Sequence, residues 1–197
     1  MSTLDDQKAK LFQKILTYPL LEHPLMPTPD EAQRLRMIEN VGAEEVMRLF
    51  LMREQRVRAE QSDPHRYGTE LESWKDADNL LNTHSEMLIL GGNRAGKTEY
   101  AAKRIAQAFV GADLNGFAPD WIKEKFKKRG LNIWCLHTTN MTSVSMQQNV
   151  FQKYLPPELK EAKRSKSTQV SWTQKNGFSD NTAVYNGNQI WFLNYSQ

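Results

Sequence analysis

The spacing of apolar residues is helical in the first third of the chain and mixed thereafter. In the first part, apolar positions recur three and four residues apart, as on one face of a helix. This spacing predicts three helices, over residues 4–16, 28–42 and 43–61. We expect Thr28 to cap the second helix, because Pro29 would then take the first helical position and Glu31 would complete a capping box. Asp63-Pro64 would end the third helix, so residues 1–66 are predicted to form a helical amino-terminal segment.

From residue 67 to residue 197, short apolar runs alternate with helical spacing. Residues 87–90 and 131–136 have the length and composition of buried parallel strands, and we expect the second to lie beside the first. Helical spacing follows these two runs, over residues 101–109 and 144–155. Near the end, Asn186-Gly187 between apolar stretches predicts a β-hairpin. The alternation predicts an α/β domain with the hairpin as an elaboration at its carboxyl-terminal end.

Composition narrows the class of protein. A chain of 197 residues with 39% hydrophobic and 25% charged residues is expected to form one or two globular domains. No apolar run could span a membrane and the first residues lack a signal-peptide pattern, so we expect an intracellular protein. The single cysteine, Cys135, excludes an internal disulfide, and its apolar neighbours favour a buried thiol. A net charge of +3 does not by itself indicate nucleic-acid binding.

One motif adds chemistry to this pattern. Residues 91–98 read Gly-Gly-Asn-Arg-Ala-Gly-Lys-Thr and match G-x-x-x-x-G-K-[ST], the phosphate-binding loop. Gly91 and Gly96 permit backbone angles that point successive N–H groups into one concavity at the start of a helix. Lys97 would reach the β- and γ-phosphates of a nucleotide, and the Thr98 hydroxyl would ligate Mg²⁺. The other loop residues expected to contact the nucleotide are Gly92, Asn93, Arg94 and Ala95.

Several features leave two interpretations open. Trp74, on the approach to the loop, could stack on a base or fill the core. At the carboxyl end of the second predicted strand, Thr138-Thr139-Asn140 could approach the nucleotide or turn the chain. The basic helix after Pro119 could contact a phosphate backbone, although a solvated helix that buries Trp121 is the simpler interpretation. Arginines and glutamates are mixed on the third helix, which favours a solvated, ion-paired face.

Hydrolysis requires more than a phosphate loop. P-loop ATPases place an aspartate at the end of a second apolar strand to hold Mg²⁺, usually beside a glutamate that activates the attacking water. None of the acidic residues after Thr98 follows a run of four apolar residues; they are Glu99, Asp113, Asp120, Glu124, Glu158, Glu161 and Asp180. We therefore expect a chain truncated before this acidic motif.

The loop sequence GGNRAGKTE resembles that of the large subunit of tailed-phage terminases, the DNA-packaging motor. Similarities extend over about residues 67–197 and include the strand at 133–135, the helix that runs into Tyr154-Leu155-Pro156 and the apolar stretch 190–197. In this family a strand with the ending Ser-Tyr-x-Gln precedes the acidic motif, and Gln197 lies at the corresponding position. The resemblance implies an incomplete P-loop NTPase three-layer core behind a helical amino-terminal segment.

The resemblance also implies a function. The family uses ATP and Mg²⁺ to drive double-stranded viral DNA into a procapsid. It acts as a homo-oligomeric ring at the portal vertex in the host cytoplasm, together with the portal protein and a small terminase subunit. Arg94 corresponds to a loop arginine that senses or stabilises the γ-phosphate, with loop packing as the alternative. Because the acidic motif and the nuclease domain are missing, we expect this chain to bind ATP without hydrolysing it efficiently.

Two other functions are compatible with the same loop. One is a helicase-like or other nucleic-acid-stimulated P-loop ATPase, which DNA-stimulated hydrolysis by a full-length protein would identify. The other is a shortened, non-hydrolysing protein that binds nucleotide and regulates the motor ring.

Overall fold

The computed structural model describes residues 4–90, 95–111, 118–126 and 130–195. The chain forms two compact units, Met1–Ser62 and Asp63–Gln197. The amino-terminal unit is helical, and the carboxyl-terminal unit combines helices with a mixed sheet. Within the described ranges, every helix is too short or too polar to cross a membrane.

The amino-terminal unit contains the three helices that the apolar spacing predicts. They are α1 (Leu4–Thr17), α2 (Glu31–Val41) and α3 (Ala43–Ser62). The core of this unit consists of buried side chains from α1 and α3: Ile15, Val46, Met47 and Phe50. The predicted stop before Pro64 is confirmed, since α3 ends at Ser62.

The cap of α2 is Asp30, so the prediction of Thr28 is wrong. The Asp30 carboxylate accepts a hydrogen bond from the Gln33 backbone N–H (2.8 Å), and the Gln33 side chain accepts one from the Asp30 N–H (3.0 Å). This stretch offers two overlapping capping boxes, one ending in Glu31 and one in Gln33. Aspartate is favoured as the cap because its negative charge also interacts with the positive end of the helix.

A buried arginine closes the end of α1. The last carbonyl groups of a helix receive no hydrogen bond from within the helix, so they need donors from elsewhere. Arg34 of α2 donates from Nη1 to the backbone oxygens of Ile15 (2.8 Å), Leu16 (3.1 Å) and Tyr18 (2.9 Å). Its Nε donates to the oxygen of Pro29 (3.0 Å). One side chain therefore holds both ends of the proline-rich connection between α1 and α2.

The charged face of α3 is only partly solvated. The expected ion pairs are present between Arg48 and Glu45 (2.5 Å) and between Arg56 and Glu60 (3.1 Å). Glu60 is buried, however, and also contacts His23 Nε2 at 2.7 Å. The charged residues of α3 thus include some that bind the preceding loop and some that remain in water.

The carboxyl-terminal unit is built on a four-stranded mixed sheet in the order β1-β6-β5-β2. Its strands are β1 (Asn132–His137), β2 (Thr168–Gln169), β5 (Thr182–Tyr185) and β6 (Asn188–Asn194). A separate two-stranded sheet pairs β3 (Trp172–Thr173) with β4 (Gly177–Phe178). The α/β class is thereby confirmed, but the sheet is mixed, since β1 and β6 are parallel whereas β5 is antiparallel to β6 and to β2.

The predicted hairpin is confirmed, although its place in the fold differs. Asn186 and Gly187 both have positive φ angles (51° and 86°), as the tight turn between β5 and β6 requires. β6 then pairs in parallel with β1, from Asn132 opposite Gln189 to His137 opposite Asn194. The hairpin is therefore part of the main sheet and not an elaboration at its margin.

Residues 87–90 form no strand, contrary to prediction. Leu88 and Leu90 are each 82% exposed. A buried strand needs a neighbour that completes its backbone hydrogen bonds, and in the described part of the sheet β1 pairs only with β6. The prediction that residues 131–136 lie beside residues 87–90 is therefore wrong as well.

Helices cover one face of this sheet. The unit contains α4 (Pro64–Tyr67), α5 (Glu72–Thr83), α6 (Lys97–Val110), α7 (Asp120–Lys125), α8 (Asn140–Thr142), a π-helical segment (Ser143–Gln148), α9 (Asn149–Tyr154), α10 (Pro157–Lys160) and a 3₁₀ turn (Ser179–Asn181). α6 and α9 pack on the sheet through Phe109, Phe151 and Phe192. The opposite face is open at Trp134, which is 70% exposed.

Candidate functional site

The structure describes the predicted phosphate loop from Ala95 onward. Four of the loop residues lie outside the described residues: Gly91, Gly92, Asn93 and Arg94. The described end leads directly into α6, which begins at Lys97 and runs to Val110. The helix predicted from the spacing of residues 101–109 is therefore confirmed, and the lysine of the motif is its first residue.

Gly96 makes the turn into α6. Its backbone is left-handed, with φ 76° and ψ 9°, a conformation that glycine adopts without the steric cost of a Cβ. The Gly96 oxygen accepts the first helical hydrogen bond from Tyr100 N at 2.9 Å. The backbone N–H groups of the first turn have no acceptor inside the helix and carry its positive dipole end. Such a helix start favours an anion.

A cavity of about 540 Å³ opens beside this helix start. Lys97 and Thr98 line it together with an apolar stripe farther along α6, and side chains of β1, β6, α9 and the π-helical segment complete its wall. The remaining lining residues are Ala101, Ala102, Ile105, Cys135, His137, Ser145, Met146, Gln147, Val150, Phe151 and Phe192. The volume lies within the range of small-molecule sites. Two of the motif residues with assigned roles, Lys97 and Thr98, therefore line one ligand-sized space.

His137 is a candidate site residue that the sequence analysis did not single out. It is the last residue of β1 and lines the cavity with Lys97 and Thr98. Its Nδ1 contacts the hydroxyl of Thr142 at 2.7 Å, which orients the ring. A histidine directly after an apolar strand was the available signal, because parallel strands present ligand-binding residues at their carboxyl ends.

The three polar residues after His137 have a different role. Thr139 caps α8, since its hydroxyl accepts a hydrogen bond from Thr142 N (3.3 Å). Thr138, Thr139 and Asn140 are not among the described residues that line the cavity. Of the two interpretations left open by the sequence, the structure favours the turn.

The π-helical segment supplies the polar wall of the cavity. It contributes Ser145, Met146 and Gln147 to the lining. Gln147 is held by a hydrogen bond from its Nε2 to the Leu136 oxygen of β1 (2.8 Å). The wider turn of a π-helix redirects side chains and is frequent at functional sites. Together with α8, this segment connects β1 to α9.

Cys135 lines the same cavity as a thiol. Burial raises its pKa to about 11, because a low-dielectric surrounding disfavours the thiolate. Cys135 is half-buried, so the expectation of a buried thiol is met only in part. Cys135 contributes apolar surface to the site.

Two buried cationic side chains of α6 fasten this helix to α5 and to the residues just before α5. Lys103 and Arg104 are 2% and 4% exposed. Arg104 forms a two-point ion pair with Asp78, and its Nη1 also donates to Glu70 Oε1 at 2.8 Å. Lys103 donates to the Gly68 oxygen (2.9 Å) and pairs with Glu70 (3.1 Å). This network was not predicted from the sequence, because the apolar spacing that predicts α6 does not show which of its charged residues are buried.

Asp78 is the centre of that network. Besides Arg104, its carboxylate accepts hydrogen bonds from the Tyr100 hydroxyl (3.0 Å) and from Trp121 Nε1 (2.9 Å). Burial, followed by the charge of Asp78, raises the pKa of Tyr100, so that this hydroxyl remains a donor. α7 is thus attached through Trp121, although Trp121 itself is only half-buried and Ile122 is the buried residue of this helix, so the simpler interpretation of the basic helix is met in part. Residues 127–129 of its basic run lie outside the described residues.

Trp74 occupies a core position near the loop. It is buried, and its ring contacts that of Tyr100 edge to face at a centroid distance of 5.8 Å. A second cavity, of about 150 Å³, lies beside it and is lined by Ser73, Trp74, Ala77, Ile89, Leu90, Ala95, Lys97 and Tyr100. Trp74 therefore packs against the described end of the loop, at Gly96.

The acidic residue closest to the loop in sequence is engaged elsewhere. Glu99 accepts hydrogen bonds from Lys153 Nζ of α9 at 3.0 and 3.2 Å. No carboxylate is found among the described residues that line the large cavity. Across the described ranges, no group of three or more His, Cys, Asp or Glu side chains could hold a metal ion.

The chain matches no protein-family model, no curated protein and no solved structure. The residues of the chain itself therefore indicate its chemistry. These are a helix that begins at the motif lysine, a cavity of ligand size, and a polar wall at the end of a parallel strand.

Proposed function

We propose that this chain binds ATP together with Mg²⁺ at the loop of residues 91–98. One observation carries the proposal: the residue that the motif assigns to the phosphates, Lys97, is the first residue of α6 and lines a cavity of about 540 Å³. Gly96 before it has the left-handed backbone that a phosphate loop needs at this point. The positive end of the helix and the lysine both favour an anionic ligand.

The residues present suit a nucleotide with its metal. Lys97 would neutralise the β- and γ-phosphates, and the Thr98 hydroxyl would ligate Mg²⁺. Mg²⁺ commonly keeps few protein ligands when phosphate oxygens and water complete its shell, so one hydroxyl is compatible with its binding. His137 and Gln147 line the same cavity and could hydrogen-bond a phosphate oxygen or a water molecule. The sequence adds Gly91, Gly92, Asn93, Arg94 and Ala95 to the phosphate contacts.

We further propose that the chain is the ATP-binding part of a tailed-phage terminase large subunit, with a P-loop NTPase core. The support is the loop sequence GGNRAGKTE and the family-like residues that follow it. In this proposal the whole protein packages double-stranded viral DNA in the host cytoplasm, as a ring that works with the portal protein and the small terminase subunit.

A second candidate is a nucleotide-binding regulator that does not hydrolyse ATP. The specific observation in its favour is that the described lining of the large cavity contains no carboxylate, whereas hydrolysis by P-loop enzymes needs acidic residues beside the Mg²⁺ and the attacking water. Both candidates share the same binding step. They differ in whether another carboxylate is supplied to the site.

The binding step can be tested with a fluorescent ATP analogue and Mg²⁺. We expect saturable binding to the chain, loss of binding in Lys97→Ala, and almost no release of phosphate from ATP. Lys123→Ala is the matched control, because Lys123 is a solvated lysine of α7 outside both cavities. Binding that Lys97→Ala leaves unchanged, or no binding by a folded chain, would overturn the proposal.

Phosphate release should then be measured with blunt duplex DNA and with single-stranded DNA. We expect neither to stimulate release from this chain. Stimulation by single strands would favour the helicase-like alternative, and stimulation by duplex DNA would show that the site is catalytically complete.

A further inference from the structure

A donor without an acceptor lies beside the described end of the phosphate loop. Trp74 of α5 is 6% exposed, and its indole Nε1 is buried with no hydrogen-bond partner among the described residues. Buried polar groups are nearly always paired, because an unsatisfied donor loses its interaction with water and gains nothing in return. An orphaned indole N–H at a candidate ligand site therefore points to an acceptor that arrives with the ligand.

The position of this N–H is close to the loop. A Cβ added at Gly96 would lie 3.4 Å from Trp74 Nε1, so the indole nitrogen lies against the turn that opens α6. Trp74 lines the 150 Å³ cavity together with Ala95 and Lys97, and Lys97 also lines the larger cavity. Trp74 and the motif lysine thus border the same small cavity, with the indole nitrogen buried beside Gly96.

The indole is held in this position. Its ring packs against Tyr100, whose hydroxyl donates to Asp78 at 3.0 Å. Asp78 belongs to α5, as Trp74 does, and its two-point ion pair with Arg104 ties α5 to α6. Packing against both helices therefore fixes the orientation of the indole ring.

We propose that Trp74 is a further phosphate-binding residue, whose indole N–H donates a hydrogen bond to a phosphate oxygen of the bound nucleotide. The inference rests on the proposed function, since the nucleotide supplies the acceptor. Indole is a donor only, and a charged oxygen is the strongest acceptor available to it. A space of about 150 Å³ is too small for a whole nucleotide, so a phosphate group is the part that fits.

Indole N–H resonances test this contact directly. The chain labelled with ¹⁵N-tryptophan should be titrated with Mg²⁺ and a non-hydrolysable ATP analogue, with tripolyphosphate, and with adenosine, the Trp74 signal being assigned by its absence in Trp74→Phe. We expect the Trp74 signal to move downfield and its exchange with water to slow with the analogue and with tripolyphosphate, but not with adenosine. A response to adenosine alone would mean a contact with the base and would overturn the proposal.

Trp172 provides a matched control. Its Nε1 is also buried without a hydrogen-bond partner among the described residues, but it lies on β3 and lines neither cavity. The Trp172 signal should stay in place in all three titrations. Trp172→Phe should bind the analogue as the unaltered chain does, whereas Trp74→Phe, which keeps an aromatic ring, should weaken binding about tenfold.

The outcomes separate the two proposals. If the chain binds the analogue and Lys97→Ala does not, but the Trp74 signal and the affinity of Trp74→Phe are unchanged, Trp74 is a packing residue only and the proposed function stands. If the chain binds no nucleotide, both proposals fall. If Trp74→Phe does not fold, the Trp74 signal is assigned from phenylalanine variants of the other four tryptophans, and its response in the unaltered chain decides.

Discussion

The two units of this chain bury arginines in different ways. In the amino-terminal unit, Arg34 is surrounded by backbone oxygens and bonds four of them, from Ile15 to Pro29. In the carboxyl-terminal unit, Arg104 is surrounded by carboxylates and pairs with Asp78 and Glu70. Both guanidinium groups are almost fully removed from water.

The difference separates two uses of buried charge. Backbone oxygens are neutral and stay acceptors at every pH, so Arg34 acts as a fastener for chain ends that lack helical partners. Carboxylates can lose their charge, and an unpaired buried charge costs several kcal/mol. The amino-terminal contact should therefore be indifferent to pH, and the network that ties α5 to α6 should depend on the ionisation of its acids.

The largest expected effect comes from removing the centre of the network. Asp78→Ala leaves Arg104 buried without its two-point partner and removes an acceptor from Tyr100 and Trp121. We expect the free energy of unfolding of the carboxyl-terminal unit to fall by about 3–5 kcal/mol. Urea unfolding followed by tryptophan fluorescence measures this unit, since all five tryptophans lie after residue 62.

Asp76→Ala is the control for that change, because Asp76 is an exposed carboxylate on the same helix. It should alter the free energy of unfolding by less than about 0.5 kcal/mol. Equal effects of the two substitutions would mean that Asp78 contributes only through the propensity of the helix.

A smaller loss is expected from Arg34→Met, which keeps the apolar stem of the side chain but removes four hydrogen bonds to backbone oxygens. We expect the amino-terminal unit to lose roughly 2 kcal/mol, because water can reach some of the freed oxygens. The loss of helical circular dichroism in urea measures it. Arg36→Met, an exposed arginine on the same helix, should have almost no effect.

The pH dependence of the two units should differ as well. Burial lowers the pKa of His65, outweighing the hydrogen bond to the Tyr154 oxygen. The unfolded chain therefore binds a proton at His65 more readily than the folded chain does. The contribution of neutral His65 to the free energy of unfolding is complete above about pH 6.5 and is lost as pH falls through the folded pKa. We expect tryptophan-detected stability to fall on acidification below that point, and His65→Gln to reduce the change.

Glu70 adds a second, more acidic phase. Burial opposes its ionisation, but the hydrogen bond and charge of Arg104 prevail and lower the pKa of Glu70. Its contribution is present above about pH 4.3 and is lost as pH falls through the folded pKa. Glu70→Gln should flatten this phase alone, and an unchanged profile would show that the pair with Arg104 does not stabilise the fold.

The smallest effect on stability is expected at the cation that we assign to the ligand. Lys97→Ala should change the free energy of unfolding by less than about 0.5 kcal/mol, since a positive charge at the first turn of a helix is not favoured by the dipole. The same variant should lose nucleotide binding. A large loss of stability would place Lys97 with the buried arginines as a structural cation.

Two apolar runs show what the local sequence pattern can predict in this chain and what it cannot. Residues 87–90 and 131–136 look alike in sequence, yet only the second lies in a strand, because β6 pairs with it from the far end of the chain. The helices α1, α3 and α6 and the Asn186-Gly187 turn could be predicted, since their hydrogen bonds are local. The partner of a strand is not local, and the partner predicted from the pattern, residues 87–90, was therefore wrong.

The candidate site divides in the same way. The sequence by itself determined the G-x-x-x-x-G-K-[ST] motif and the helix behind it, because the spacing of the motif and that of the apolar residues of α6 are both local. Only the tertiary structure brought His137 and Gln147 into the cavity of Lys97, set Trp74 against Gly96 and buried Lys103 and Arg104 among carboxylates. These contacts join residues far apart in the chain, and burial, unlike spacing, is decided by the fold as a whole.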